Sequence, residues 1–263
     1  MDTRPIGIFD SGVGGLTVLT ELRKKLPNEN YIYIGDTKRF PYGSKSKETI
    51  IQISKRIVDT LISKKVKLIV IACGTATSQA LEELKQIYNI PIIGIIEPTV
   101  ENQMNEKVKK VGVIATRGTI RSKVWETTIC KKNPSIAILS KETPLLAPMA
   151  EEGWIDNEVA RSAIKEYMKD WKEENLDALI LGCTHYPLFE KLLRKELGDT
   201  IKIINTGKEI AKSLEQYLKE NDLKNEGIGT EEIYLTDTES NFLNVAKQLF
   251  HKEIKIQKIA VLN

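Results

Sequence analysis

Short apolar runs rich in β-branched residues alternate along this chain with longer stretches of helical period. The runs are 5–9 (PIGIF), 31–35 (YIYIG), 67–72 (KLIVIA), 90–96 (IPIIGII), 110–115 (KVGVIA), 178–182 (ALILG), 202–205 (KIIN), 232–236 (EIYLT) and 255–262 (KIQKIAVL). Their length and apolar, β-branched character predict strands. The intervening segments 16–26, 77–88, 157–174 and 187–197 carry the period of helices, and Leu188, Leu192, Leu193 and Leu197 of the last fall on one helical face. Regular alternation of the two kinds of segment predicts an α/β fold with largely parallel sheets.

The pattern also repeats weakly. GIFDSGVGGL (7–16) and GVIATRGTI (112–120) are each a strand followed by a turn containing glycine and hydroxyls. LIVIACGTA (68–76) and LILGCTHYP (179–187) are each a strand ending in a small residue, Cys and Thr before a helix, so that Cys73 and Cys183 stand about 110 residues apart. Two similar α/β halves are expected, each with one cysteine at the carboxyl end of a strand, where ligands bind in open α/β sheets.

With 263 residues, 41% hydrophobic and 29% charged, the chain has the balance of a globular protein rather than a disordered or membrane-embedded one. The 39 basic and 36 acidic side chains leave a net charge of +3, which argues against a nucleic-acid or membrane-surface partner. There are three cysteines, Cys73, Cys130 and Cys183, and two histidines, His185 and His251. None of the cysteines forms a CxxC pattern, so a disulfide framework or zinc ribbon is not expected. The first residues offer no apolar segment of signal-peptide length, and the longest apolar runs are too short to span a bilayer, so a cytoplasmic protein is expected.

Cys73 and Cys183 each precede an expected helix start, the second with Pro187 suited to the first helical position. Free N–H groups and partial positive charge there lower a thiol pKa from about 8.5, which favours thiolate. A single cysteine at a strand end is most simply a packing residue, and Cys130, in a Lys-rich stretch, is read that way. Two in equivalent places suit a different task. Thiols facing each other across a cleft could take a proton from one face of a carbon and return one to the other. Asp10 could serve one thiol and His185 the other.

In order and spacing, GIFDSGVGGLTVL, YIGDTKRFPYGSKSKET, VIACGTATS, GIIEPT, GVIATRGTI, PLLAPMAEEGW and LILGCTHYPL resemble the glutamate racemases of the cofactor-independent aspartate/glutamate racemase superfamily. The resemblance implies two α/β domains related by a pseudo-two-fold axis, residues 1–97 with 208–263 and residues 98–207. It implies interconversion of L- and D-glutamate with no cofactor and no metal, supplying D-glutamate for peptidoglycan synthesis. Cys73 would abstract the α-proton of D-glutamate and Cys183 that of L-glutamate, assisted by Asp10, His185 and Glu151, with Glu152 as the neighbouring candidate. Substrate contacts would come from Asp10, Ser11, Tyr42, Gly43, Gly74, Thr75, Thr116, Thr119, Thr184 and His185. The family commonly forms homodimers. One position departs from its pattern: the first cysteine is usually followed by Asn, and here by Gly74, which predicts weaker or re-routed substrate binding.

Other classes fit less of the chain. A dinucleotide fingerprint beginning at Gly12 needs Gly or Ala where Thr17 stands. A cysteine hydrolase would use Cys183 and His185 and leave Cys73 without a task. A zinc site would need Cys73, Cys183 and His185 to converge. Aspartate racemase and a binding protein without turnover are the alternatives within the superfamily.

Overall fold

The computed structural model describes residues 1–238, 242, 245–247 and 255–262; His251 lies outside the described residues. The strands are β1 (Ile6–Asp10), β2 (Tyr31–Gly35), β3 (Leu68–Ile71), β4 (Ile92–Gly94), β5 (Lys110–Ala115), β6 (Ala137–Glu142), β7 (Ala178–Leu181), β8 (Lys202–Asn205), β9 (Glu231–Leu235) and β10 (Ile256–Lys258). They form a six-stranded sheet of order β10-β9-β2-β1-β3-β4 and a four-stranded sheet of order β6-β5-β7-β8. Every pairing among the described residues is parallel. The order β2-β1-β3-β4 within the first sheet recurs as β6-β5-β7-β8, so the sequence repeat is a repeat of topology. In each half the chain crosses from one side of its first strand to the other, which opens a crevice at the carboxyl ends.

The apolar runs are continuous because both faces of these strands are covered. Ile6 and Ile8 of β1, Leu68 and Val70 of β3, Val111 and Val113 of β5, and Ala178 and Ile180 of β7 share one core to which both sheets contribute. The alternate residues point the other way. Phe9, Ile69 and Ile71 pack under the helix Lys47–Ser63, and Ile114, Leu179 and Leu181 under the helix Glu158–Met168.

The structure differs from the sequence pattern at four places. β6 was not expected: AILSKE is half polar, and the strand is a partly exposed edge that pairs with β5 alone. The run 90–96 divides into β4 and the start of the helix Ile96–Gln103. The run 255–262 forms a strand only over Ile256–Lys258. The segment 187–197 opens with a 3-10 turn, Tyr186–Phe189, before the helix Glu190–Leu197.

At the end of the first sheet away from the cysteines, the ammonium of Lys67 is fully buried. It donates to Glu29 at 2.6 Å and to the carbonyls of Asp2 at 2.9 Å and Leu223 at 2.7 Å. Glu29 also accepts the N–H of Asn225 at 2.9 Å. The chain start and the segment leading to β9 are thus tied to the base of β3. Removing one member of a buried pair strands the other charge, so Lys67→Met is expected to cost about 3–5 kcal/mol of stability. The double change Lys67→Met with Glu29→Leu is expected to recover most of it, both read by urea denaturation.

Candidate active site

Asp10 ends β1, Cys73 is the second residue after β3, Thr116 the first after β5, and Cys183 the second after β7. These four strand ends meet around a cavity of about 70 Å³ lined by Ser11, Tyr42, Gly43, Cys73, Gly74, Thr75, Thr116, Cys183, Thr184 and His185, among others. Of the residues expected at the site, Asp10, Thr119 and Glu151 stand behind this lining, all three buried. Phe40, Pro41, Ser44, Arg117, Pro144, Ala147 and Pro148 also line it and were not singled out in the sequence. Cys130 is exposed and away from it.

On the Cys183 side, three side chains form a relay. The Cys183 sulfur is 3.5 Å from His185 Nδ1, and His185 Nε2 is 2.6 Å from Glu151 Oε1. The same carboxylate oxygen accepts the N–H of Val13 at 2.7 Å. Glu151 is buried and Glu152 exposed, so Glu151 is the one that faces His185. Burial alone would lower the imidazole pKa. Hydrogen bonding and charge from Cys183 and Glu151 outweigh it and hold His185 well above its ordinary value. A protonated ring donates from both nitrogens, one to the sulfur and one to the carboxylate.

The glycine turn after β1 is what lets the first half pack against this relay, all of whose side chains belong to the other half. A Cβ on Gly12 would lie 2.1 Å from Glu151 Oε1, and one on Gly14 would lie 2.5 Å from His185 Nδ1. DSGVGG is therefore a seat for side chains of the other half.

On the Cys73 side the expectation of a lowered thiol pKa is overturned. Cys73 caps the helix Gly74–Ile87 and accepts the N–H of Ala76 at 3.5 Å, while its thiol donates to Ser11 Oγ at 3.9 Å. Burial, followed by the nearby Asp10 carboxylate, pushes the thiol above its usual range despite those helix contacts. Asp10 itself is raised, chiefly by burial. Its oxygens accept the N–H of Gly12 and the hydroxyl of Thr184, both at 3.1 Å, so it ties the first half to the Cys183 turn and does not hydrogen-bond Cys73.

Between the halves, Thr75 of the first meets Thr116 at 2.8 Å and Thr119 at 3.3 Å, and those two lie 2.9 Å apart. Three hydroxyls gathered this way can turn to donate to one anionic oxygen group. Tyr42 is placed by a residue the sequence reading passed over. Asp36, fully buried, accepts the Tyr42 hydroxyl at 2.7 Å, Arg39 at 2.7 Å and Thr236 at 2.8 Å. Its signal was its position: Asp36 follows β2 as Asp10 closes β1, and its N–H donates to the Asp10 carbonyl at 2.9 Å.

Gly74 has a physical reason beyond substrate contact. A Cβ there would lie 2.3 Å from the backbone carbonyl of Gly182, across the cleft. No side chain at 74 fits while the halves are this close.

The profile of the Asp/Glu/hydantoin racemase family matches residues 16–214. The chain belongs to this family. A glutamate racemase of Geobacter metallireducens is 41% identical over 251 residues, covering 94% of this chain and 93% of that protein. A glutamate racemase isoform from Bacillus anthracis has a similar crystal structure, with a TM-score of 0.94 at 33% identity over 99% of this chain and 98% of that one. That of Francisella tularensis, solved with D-glutamate, has a TM-score of 0.92 at 38% identity over the same shares, 99% and 98%. Among the described residues, no helix is long and apolar enough to cross a membrane, and no group of three or more His, Cys, Asp or Glu could hold a metal ion.

Two outcomes are expected of this family member. Because folding raises the His185 pKa, the folded chain holds more protons than the unfolded one above the ordinary value of about 6.5. The stabilisation is complete below that pH and is lost as pH climbs through the raised value. Unfolding free energy measured from pH 6 upward should therefore fall more steeply in the parent than in His185→Asn, by at most about 1.4 kcal/mol per pH unit. Gly74→Ala forces the halves apart and should cost about 1–3 kcal/mol of stability, read by thermal or urea denaturation.

Proposed function

We propose that this chain interconverts L- and D-glutamate by a two-base mechanism in which Cys73 and Cys183 act on opposite faces of the α-carbon. The observation that carries the reading is that two buried thiols, at equivalent positions of two topologically repeated sheets, line one cavity. In one direction the Cys183 sulfur takes the α-proton of L-glutamate and the Cys73 thiol gives its proton to the other face, leaving D-glutamate, a Cys73 thiolate and a Cys183 thiol. The reverse reaction uses the same atoms with the roles exchanged. No redox change or carrier enters the balance.

The two thiols are not equivalent at rest. Cys73 is kept protonated by burial and by Asp10, whereas a charged His185 stands beside the Cys183 sulfur with Glu151 behind it. A Cys73 held protonated fits the donor's part in the L-to-D direction. Thr75 and Thr116, backed by Thr119, with the turn at Gly43 and the Ser11 hydroxyl, supply donors for the two carboxylates, while Tyr42 and Thr184 border the same space and Gly74 contributes backbone alone. The relatives named glutamate racemase favour glutamate over aspartate. We take residues 1–97 with 208–263 as the domain bearing Cys73, and residues 98–207 as the domain bearing Cys183. A homodimer in a bacterial cytoplasm, supplying D-glutamate for peptidoglycan synthesis, completes the reading by family resemblance.

One observation favours a second reading. Cys183, His185 and Glu151 have the connectivity of a nucleophile, base and orienting acid. A hydrolase of that kind gives Cys73 nothing to do.

Proton NMR in deuterium oxide separates the possibilities. With L- or D-glutamate, the chain should exchange the α-hydrogen and form the enantiomer, and do so far better than with aspartate. Cys73→Ser and Cys183→Ser should each lose about 10²- to 10⁴-fold in racemisation. Full racemisation in both directions by either variant would refute the two-base mechanism, and binding without exchange would mark a non-catalytic relative.

A further inference from the structure

The turn after β5, which opens the short helix Arg117–Arg121, is tied to the first half through its backbone. Gly118 stands between Thr116 and Thr119, and its peptide is gripped from the first half on both sides. Its N–H donates to the Gly43 carbonyl at 2.9 Å, and its carbonyl accepts the side-chain N–H of Gln79 at 2.8 Å. Gln79 lies four residues beyond Thr75 on the helix Gly74–Ile87, so both project from one helical face toward the same turn. Thr75 meets the hydroxyls of that turn, while Gln79 holds its backbone. Gln79 is half-buried, does not line the cavity, and touches neither thiol nor any member of the relay.

We propose that Gln79 is a positioning residue, a latch that keeps the 116–119 turn closed on Thr75 and so assembles the three-hydroxyl cluster; this rests on the racemase reading above. The cavity is lined from both halves, and the latch favours their close arrangement over a more open one. Weakening it shifts the balance toward the open form and lowers apparent affinity without altering the closed site. Because Gln79 touches no part of the substrate, the effect is the same for both enantiomers. The side chain acts as a donor: the Gly118 carbonyl can only accept, so a replacement of similar length serves only if it carries an N–H.

The test compares Gln79→Met, which keeps length and loses the donor, with Gln79→Lys, which keeps a donor. For Gln79→Met, KM for L- and D-glutamate should rise together by about two- to ten-fold, the worth of one hydrogen bond, with kcat unchanged or raised. Gln79→Lys should restore KM to near the parent value. The latch is overturned if KM of Gln79→Met stays at the parent value, if only one enantiomer is affected, if kcat falls instead, or if the lysine variant fails to restore KM while thermal denaturation shows both variants folded. α-Hydrogen exchange by the parent chain is measured alongside. A parent that exchanges with an unresponsive Gln79→Met sinks the latch alone, whereas a parent that does not exchange sinks the racemase reading. In that second case, calorimetric binding of glutamate to the parent and the two variants decides the latch by the same pattern of affinities.

Discussion

The site depends on a close approach of two strand-end turns, of which the one after β1 leaves room for side chains of the other half. His185 is buried between the Cys183 sulfur and the Glu151 carboxylate, and it occupies that place because Gly14 presents no Cβ. Glu151 in turn is met by the N–H of Val13, over Gly12. A buried ion pair of this kind is favourable only with its remaining hydrogen-bonding capacity filled. Here the backbone of the opposite half supplies part of it. Separation of the halves would therefore loosen the relay as well as open the cavity.

The same closeness explains the electrostatic asymmetry between the cysteines. Both sit at a strand end before a helical turn, and by local structure alone they would be alike. Cys183 has an imidazole beside it, while Cys73 has a hydroxyl, a helix N–H and the nearby carboxylate of Asp10. Partial charge at a helix start is a modest effect. Full burial next to a carboxylate exceeds it, which is why the expectation of two lowered thiols failed at Cys73. Under the proposed mechanism Cys73, held protonated, is the donor in the L-to-D direction.

Gly74, Gln79 and Gly118 belong to the same frame. Gly74 lets the Cys73 turn approach the Gly182 carbonyl, and Gln79 fastens the facing turn one helical turn further on. An Asn side chain at position 74 is incompatible with this approach, since its first carbon already collides with backbone. The departure from the family pattern at 74 thus goes with the packing of the two halves, in addition to any change in how an amino acid is held.

Much of this was present in the order of residues, because strand periodicity, glycine turns and residue type are local properties. Nine of the ten strands among the described residues, the parallel α/β class and the repeat that pairs Cys73 with Cys183 could be read directly. β6 could not, since an edge strand needs only one covered face and its sequence is correspondingly half polar. Sequence also supplied the candidate acids and hydroxyls, but their partners lie far along the chain: Glu151 with Val13, Thr184 with Asp10, Asp36 with Thr236. Tertiary structure alone decided that Glu151 and not Glu152 faces His185, that burial raises Cys73, and that Gly74 marks a collision avoided. Each of those is a matter of distance and desolvation between segments remote in sequence, which no local pattern encodes.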